Sequence, residues 1–272
     1  MMLPLQSPAA TVCILTYGDY LPYFSRCLDS VLRTVPPPRY ELRLGFNAAP
    51  QAVQMVRDRF QLYPKPITEV QLGTGLFRTQ FRTADGLTVT MWVSNENLYK
   101  EPMARLMYHE IPLTTEYMVW LDDDSYVRPG WWEALDPLLH DGVDYIGQPW
   151  WVDYMPGQTA MIQSQPWYRE IPFDRKDGQE GIWFMTGGFV VVRSECLRAA
   201  NFPDTEFFWK GDTLTQYGGD TLLGEVARQL GWRCASHSDH VLVNVDLEDR
   251  HPAPRRGGTG KQFGSDIEVA IN

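Results

Sequence analysis

The first hundred residues alternate short apolar runs with stretches of helical period, and few architectures accept that order. Thr11 to Leu15 is a buried-type run, and Leu21, Phe24, Leu28, Val31 and Leu32 then recur at helical spacing until Pro36-Pro37-Pro38 stops them. Tyr40 to Phe46 returns as a strand, and Gln51 to Phe60 as a helix opened by Pro50. A βαβ unit with a further helix calls for a parallel sheet with right-handed crossovers. Ile67 to Leu72 and Leu87 to Val93 add two expected strands. Met103, Leu106, Met107 and Ile111 share a helical face that ends at Pro112, and Tyr117 to Leu121 reads as a buried strand. The expected fold class is α/β, one domain with a mixed, mostly parallel central sheet.

Beyond that strand the pattern loosens. Trp131 to Leu139 is helical, whereas Gly147 to Gly181 is polar, aromatic and nearly aperiodic, and reads as a long functional loop. Phe189 to Val192 is an expected strand, Thr221 to Leu230 a helix with Leu222, Val226 and Leu230 on one stripe, and Val241 to Val245 a last strand. Residues 1–254 are expected to form the domain, and 255–272 a flexible basic tail or lid. The tail segment Arg255-Arg-Gly-Gly-Thr-Gly-Lys261 is not a phosphate loop, because Arg255 stands where its first glycine should be and Gln262 replaces Ser/Thr. It reads either as a lid over a bound phosphate or as a disordered end.

Composition narrows the function. At 44% hydrophobic and 21% charged residues over 272 positions, the chain is an ordinary folded protein with enough length for a core. A formal charge of −10 disfavours general nucleic-acid binding, since phosphate backbone would repel it. No apolar run approaches the ~18–20 residues that cross a bilayer, so no stable membrane insertion is expected. Met1 to Ala10 lacks the features of a secretory signal, which makes a cytoplasmic address the expectation. Cys13, Cys27, Cys196 and Cys234 form no Cys-x-x-Cys pair and read as buried free thiols. Trp and Tyr cluster in Gln148-Pro-Trp-Trp-Val-Asp-Tyr154 and Gln165-Pro-Trp-Tyr168, where they serve either as loop anchors or as flat faces for sugar rings and bases.

In open α/β sheets ligands bind beyond the carboxyl ends of the parallel strands. The residues standing there are Thr16-Tyr17-Gly18-Asp19, Asn47 and Asp122-Asp123-Asp124. Three adjacent carboxylates repel one another unless a cation is shared, so the triplet reads as a divalent-metal site, with a solvated acidic turn as the plain alternative. If the chain stays extended, Asp122 and Asp124 face one side and Asp123 turns to another partner.

Val119-Trp-Leu-Asp-Asp-Asp-Ser-Tyr-Val127 resembles the metal and nucleotide-sugar motif of GT-A (Rossmann-like nucleotide-sugar-binding) glycosyltransferases, with wording similar to the Fringe-like and β-1,3-galactosyltransferase groups. Thr11-Val-Cys-Ile-Leu-Thr-Tyr-Gly18 resembles the opening strand of family 2 transferases, and Thr186-Gly187-Gly188-Phe189 a glycine pair that lines the donor sugar. Gly218-Gly219-Asp220 resembles the acidic motif opening a helix that supplies the catalytic base, although family 2 carries Glu-Asp where this chain has Gly219-Asp220. The Gln-x-x-Arg-Trp motif of processive synthases is absent.

The resemblance implies a nucleotide-diphosphate sugar as donor and a hydroxyl-bearing acceptor: a glycan, a small molecule or a modified base. Mn²⁺ or Mg²⁺ would neutralise the leaving diphosphate, with Asp124 as first ligand and Asp122 as second ligand or ribose contact. Asp123 stands within the same donor-binding motif. The resemblance points to His240 as third ligand, then His237 and His251, and an imidazole ligand would lean toward Mn²⁺. Thr16, Tyr17 and Asn47 would border the nucleotide, Gly187 and Gly188 the sugar, and Trp150 to Trp167 with Trp209 the acceptor. Asp220 would remove the acceptor proton in an inverting displacement, unless it merely caps its helix. Other readings are a phage-type transferase acting on modified DNA bases and a non-catalytic glycan-binding protein on the same fold.

Overall fold

A computed structural model describes residues 9–18, 20–34, 40–62, 69–153, 158–203, 209–210, 213–214, 219–237 and 241–244. The chain opens with β1 (Ala10–Tyr17), α1 (Leu21–Thr34), β2 (Tyr40–Asn47) and α2 (Pro50–Arg59), followed by β3 (Glu69–Gly73), β4 (Leu76–Arg82) and β5 (Thr88–Ser94). Next come α3 (Lys100–Arg105), a π-helical continuation at Leu106–Glu110, β6 (Tyr117–Asp122), β7 (Ser125–Val127), α4 (Trp131–His140) and β8 (Tyr145–Asp153). Beyond these lie α5 (Gln158–Gln163), β9 (Asp174–Lys176), β10 (Gln179–Arg193), α6 (Ser194–Ala199), β11 (Trp209–Lys210) and β12 (Thr213–Leu214). The described residues end with α7 (Gly219–Leu230), β13 (Cys234–Ser236) and β14 (Leu242–Asn244).

The main sheet runs β13-β8-β10-β6-β1-β2-β5-β4-β3, with β9 on β10. Its centre, β6-β1-β2-β5, is parallel, and the antiparallel β10 and β4 flank it. The expected mixed α/β domain with a parallel central sheet is therefore the observed one. Central strands such as β1 are buried on both faces, as the covering helices require.

Strand alternation divides the core in two. Val12, Ile14, Leu42, Leu44, Val119 and Leu121 pack with α1, α2 and α4 on one face. Cys13, Leu15, Trp92, Met118 and Trp120 pack with Met103, Met107, Leu222 and Val226 on the other. Arg43 points to this second face, 2% exposed. It pairs with Glu41 at 2.9 Å and donates to the carbonyls of Met107, Ile111 and Pro112, which satisfies the end of the helix that Lys100 begins.

Three expectations change. The stretch read as one helix from Met103 to Ile111 is α-helical to Arg105 and π-helical to Glu110. The supposed long loop at 147–181 is largely ordered: β8 and β10 pair from Val192↔Tyr145 to Gly181↔Asp153, and α5 and β9 lie between them. Its polar and aromatic residues hide the strands because Trp151 and Trp183 face each other across the arm, one buried and one exposed, so burial does not follow a clean period of two. The cysteines also differ from expectation: Cys13 and Cys27 are buried, but Cys196 is half-buried and Cys234 exposed. Among the described residues no helix is long and apolar enough to cross a membrane.

Candidate active site

The carboxyl ends of β6, β1 and β2 bring Asp122, Thr16, Tyr17 and Asn47 to one rim, since Leu15 pairs with Asp122 and Tyr17 with Asn47. Alternation then splits the acid triplet. Thr16 lies on the α1 face, and its hydroxyl donates to Asp123 Oδ2 at 2.6 Å. Asp123 is buried, and burial pushes its carboxyl up to about 8, with Asp124 and Asp122 adding to the rise and the Thr16 bond opposing it. Asp122 falls on the opposite face with Trp120, whose indole N–H donates to Asp122 Oδ1 at 2.7 Å. Asp124 is half-buried in the turn that leads to β7.

Lys100, absent from every sequence motif, meets Asp122. Its Nζ lies 2.9 Å from Oδ1 and 3.1 Å from Oδ2, and 5.5 Å from the centre of the Trp120 ring. Burial works against the ammonium, but Asp122 and then Asp220 outweigh it and hold Lys100 well above the usual lysine range. Burial raises the Asp122 carboxyl; Lys100 acts the other way and Asp124 raises it again.

Asn47 positions that lysine. The Asn47 side chain is 1% exposed, donates to the Tyr99 carbonyl at 3.0 Å and accepts from the Leu98 N–H at 3.3 Å. Tyr99, at φ 65°, occupies backbone space costly to a non-glycine residue. The amide expected beside a nucleotide is thus engaged in fixing the turn before Lys100.

Glu101 reaches the other half of the site. Its Oε1 accepts from the Gly219 N–H at 3.0 Å, at the first turn of α7 where Asp220 stands. A Cβ on Gly219 would lie 2.8 Å from that oxygen, so the glycine leaves the space the Glu101 carboxylate fills. Lys100, Glu101, Trp120, Tyr145 and Asp220 line one cavity of about 50 Å³, floored by Tyr108, Met118, Val190 and Leu223. That volume suits a few waters rather than a sugar ring.

Thr186 to Phe189 bulge out of register with β8 between Met185 and Val190, so Gly187 and Gly188 lie in the bulge. Phe189 pairs with Leu121, so the glycines adjoin the end of β6 that carries the acids. His237 lies against the same bulge: its backbone N–H donates to the Gly147 carbonyl at 3.0 Å and its ring meets Phe189 edge-on at 5.4 Å. His240, His251 and the 255–272 tail lie outside the described residues. At the other end of the rim Tyr17 packs on Tyr20 at 5.0 Å, and Tyr20 on Tyr23 at 6.1 Å. Trp183, 39% exposed, meets Trp151 at 5.5 Å, and Lys176 lies 5.5 Å above its ring.

The described residues do not fit a divalent ion on their own. Lys100 and Trp120 engage both oxygens of Asp122, Thr16 holds Asp123, and among these residues no three His, Cys, Asp or Glu side chains converge as a ligand set.

No protein-family model matches the sequence, and no curated protein matches it. Solved structures do. The mannosyltransferase PcManGT from Pyrobaculum calidifontis, in complex with GDP-Man and Mn²⁺, superposes with a TM-score of 0.53 at 17% identity over 93% of this chain. S. aureus TarS 1–349 gives 0.51 at 11% identity over 86%. The chain shares the fold of these two structures. It spans 59% of the length of each of these two structures.

Proposed function

We infer that this chain transfers a sugar from a nucleotide-diphosphate donor to an acceptor hydroxyl, with inversion and with Asp220 as base. The observation that carries this reading is that Lys100 bonds Asp122 at the end of β6 and lines a cavity together with Asp220 of α7, which links the acid turn to the proposed base. Ligands of such sheets bind at that rim, and the fold is one on which a GDP-Man complex is known in PcManGT. Tyr17 and its tyrosine neighbours would border the base, Gly187 and Gly188 the donor sugar, and the Trp151–Trp183 arm the acceptor.

An acceptor hydroxyl attacks poorly until its proton is removed as the new bond forms, which contributes about 10²–10⁴-fold. Asp220 stands in the first turn of α7 and lines the same cavity as Lys100. Glu101, on the Gly219 N–H, fixes the approach of that helix end and favours a defined orientation for the base. A divalent ion would require Asp124 together with ligands beyond the described residues, His240 among them, and would supply charge to the leaving diphosphate.

The test is release of nucleoside diphosphate from a panel of nucleotide sugars that includes GDP-mannose, with Mn²⁺ and with chelator. Asp220→Asn should lower turnover by about 10²–10⁴-fold while leaving donor affinity nearly intact. Equal turnover in the variant removes Asp220 as base. Failure of every donor to bind or react leaves a non-catalytic protein on this fold.

A further inference from the structure

We propose that Lys100 binds the donor diphosphate directly, as a cation built into the chain on Asp122. The inference rests on the nucleotide-sugar reading and gives Lys100 a contact with the donor that the reading leaves unassigned. A diphosphate approaching Asp122 and Asp124 meets carboxylates that repel it, so its binding demands positive charge on this rim. Lys100 supplies that charge in a fixed position. It is tied to both oxygens of Asp122, braced over the Trp120 ring and carried by a turn that Asn47 clamps, yet its side chain remains 34% exposed.

Three features separate this lysine from an ordinary surface ion pair. The Tyr99 backbone before it is held at positive φ, a cost that persists where the surroundings over-determine a conformation. Its carboxylate partner is itself oriented by the Trp120 N–H. The same ammonium lines the cavity that Asp220 lines, so one cation stands at the acid rim and beside the proposed base.

The experiment titrates UDP and GDP into wild type, Lys100→Met and Lys100→Arg by calorimetry, in EDTA and again in Mn²⁺, with uridine and guanosine as phosphate-free controls. Wild type should bind one of the diphosphates in EDTA. Lys100→Met should weaken it by about ten- to a hundredfold, the range for one lost charge-assisted contact. Lys100→Arg should stay close to wild type, and the nucleoside controls should bind all three proteins alike. Equal loss of nucleoside and diphosphate would mean a damaged fold and overturn the assignment. Binding that requires Mn²⁺ and ignores Lys100→Met also overturns it, while leaving the transferase reading in place. Absence of any nucleotide binding, with or without Mn²⁺, overturns both.

Discussion

At the scale of single residues, three consecutive aspartates acquire three different environments because strand alternation carries neighbours to opposite faces. Asp123 goes inward to Thr16 and Asp122 goes to Lys100 and Trp120. The buried Asp123 carboxyl, pushed up to about 8 mainly by burial, makes stability fall with pH. An unfolded aspartate titrates near 3.9. Between that value and about 8 the folded state binds the proton that the unfolded state has released, so folding loses about 1.4 kcal/mol per pH unit across the window. Asp123→Asn removes the ionisation and can still bond Thr16. Calorimetric melting in EDTA should therefore show the variant gaining on wild type from pH 5 to pH 8; parallel curves would mean that Asp123 is already ionised in the fold. That the middle member of the triplet turns to a partner of its own was legible from alternation, and Thr16 is that partner. Lys100 was not. Nothing in a single sequence links it to Asp122, because the contact depends on where α3 docks on the sheet.

Elements inherit their accuracy from local signals. The α1 stripe of Leu21, Phe24, Leu28, Val31 and Leu32 gave a helix within a few residues of its observed limits, and the apolar runs of β1, β2 and β6 were equally plain. Missed were β4, β7, β8, β9, β11, β12 and β13, most of them short or half-exposed strands that leave weak patterning. The helix α7 shows how a legible element can be held in a way the sequence hides. A Cβ on Gly224 would lie 2.6 Å from Phe184 Cβ, 2.8 Å from Phe184 Cα and 2.9 Å from the Trp183 carbonyl, so the helix sits almost directly on the β10 backbone. Glu225, fully buried, accepts from Arg228 and Gln229, and those two donate to the Ile171 and Pro172 carbonyls, locking the neighbouring segment to the helix. Gly224→Ala must push α7 off the sheet. It should cost about 1–3 kcal/mol, the usual range for overpacking, and lower turnover more than donor affinity, because Asp220 rides on the displaced end. Chemical denaturation together with steady-state kinetics reads both; unchanged kinetics in a destabilised variant would separate Asp220 placement from α7 packing.

For the whole molecule, the sequence conveyed the architecture through its order of strands and helices, and the positions after the parallel strands bring Asp122, Thr16, Tyr17 and Asn47 to one rim. What it withheld is the joining of two halves. Asp122 on β6 and Asp220 on α7 are brought into register by adjacent residues of α3: Lys100 bonds the first and Glu101 bonds the Gly219 N–H beside the second. That arrangement predicts that donor binding is felt throughout the fold, since a diphosphate on Lys100 loads β6, α3 and α7 together. A ligand that binds only the folded state at a hundred times its Kd adds about 2.7 kcal/mol, and a domain of this size converts each kcal/mol into about 2–4 °C of Tm. A nucleoside diphosphate at that excess should raise the melting midpoint by about 5–10 °C. The Glu101→Gln variant, which keeps an oxygen acceptor for the Gly219 N–H, should retain most of that gain, whereas Glu101→Ala should melt earlier and show a smaller rise. If the alanine variant responds to the diphosphate as fully as wild type does, α3 does not couple the two halves, and Lys100 and Asp220 belong to independent elements that merely share a cavity.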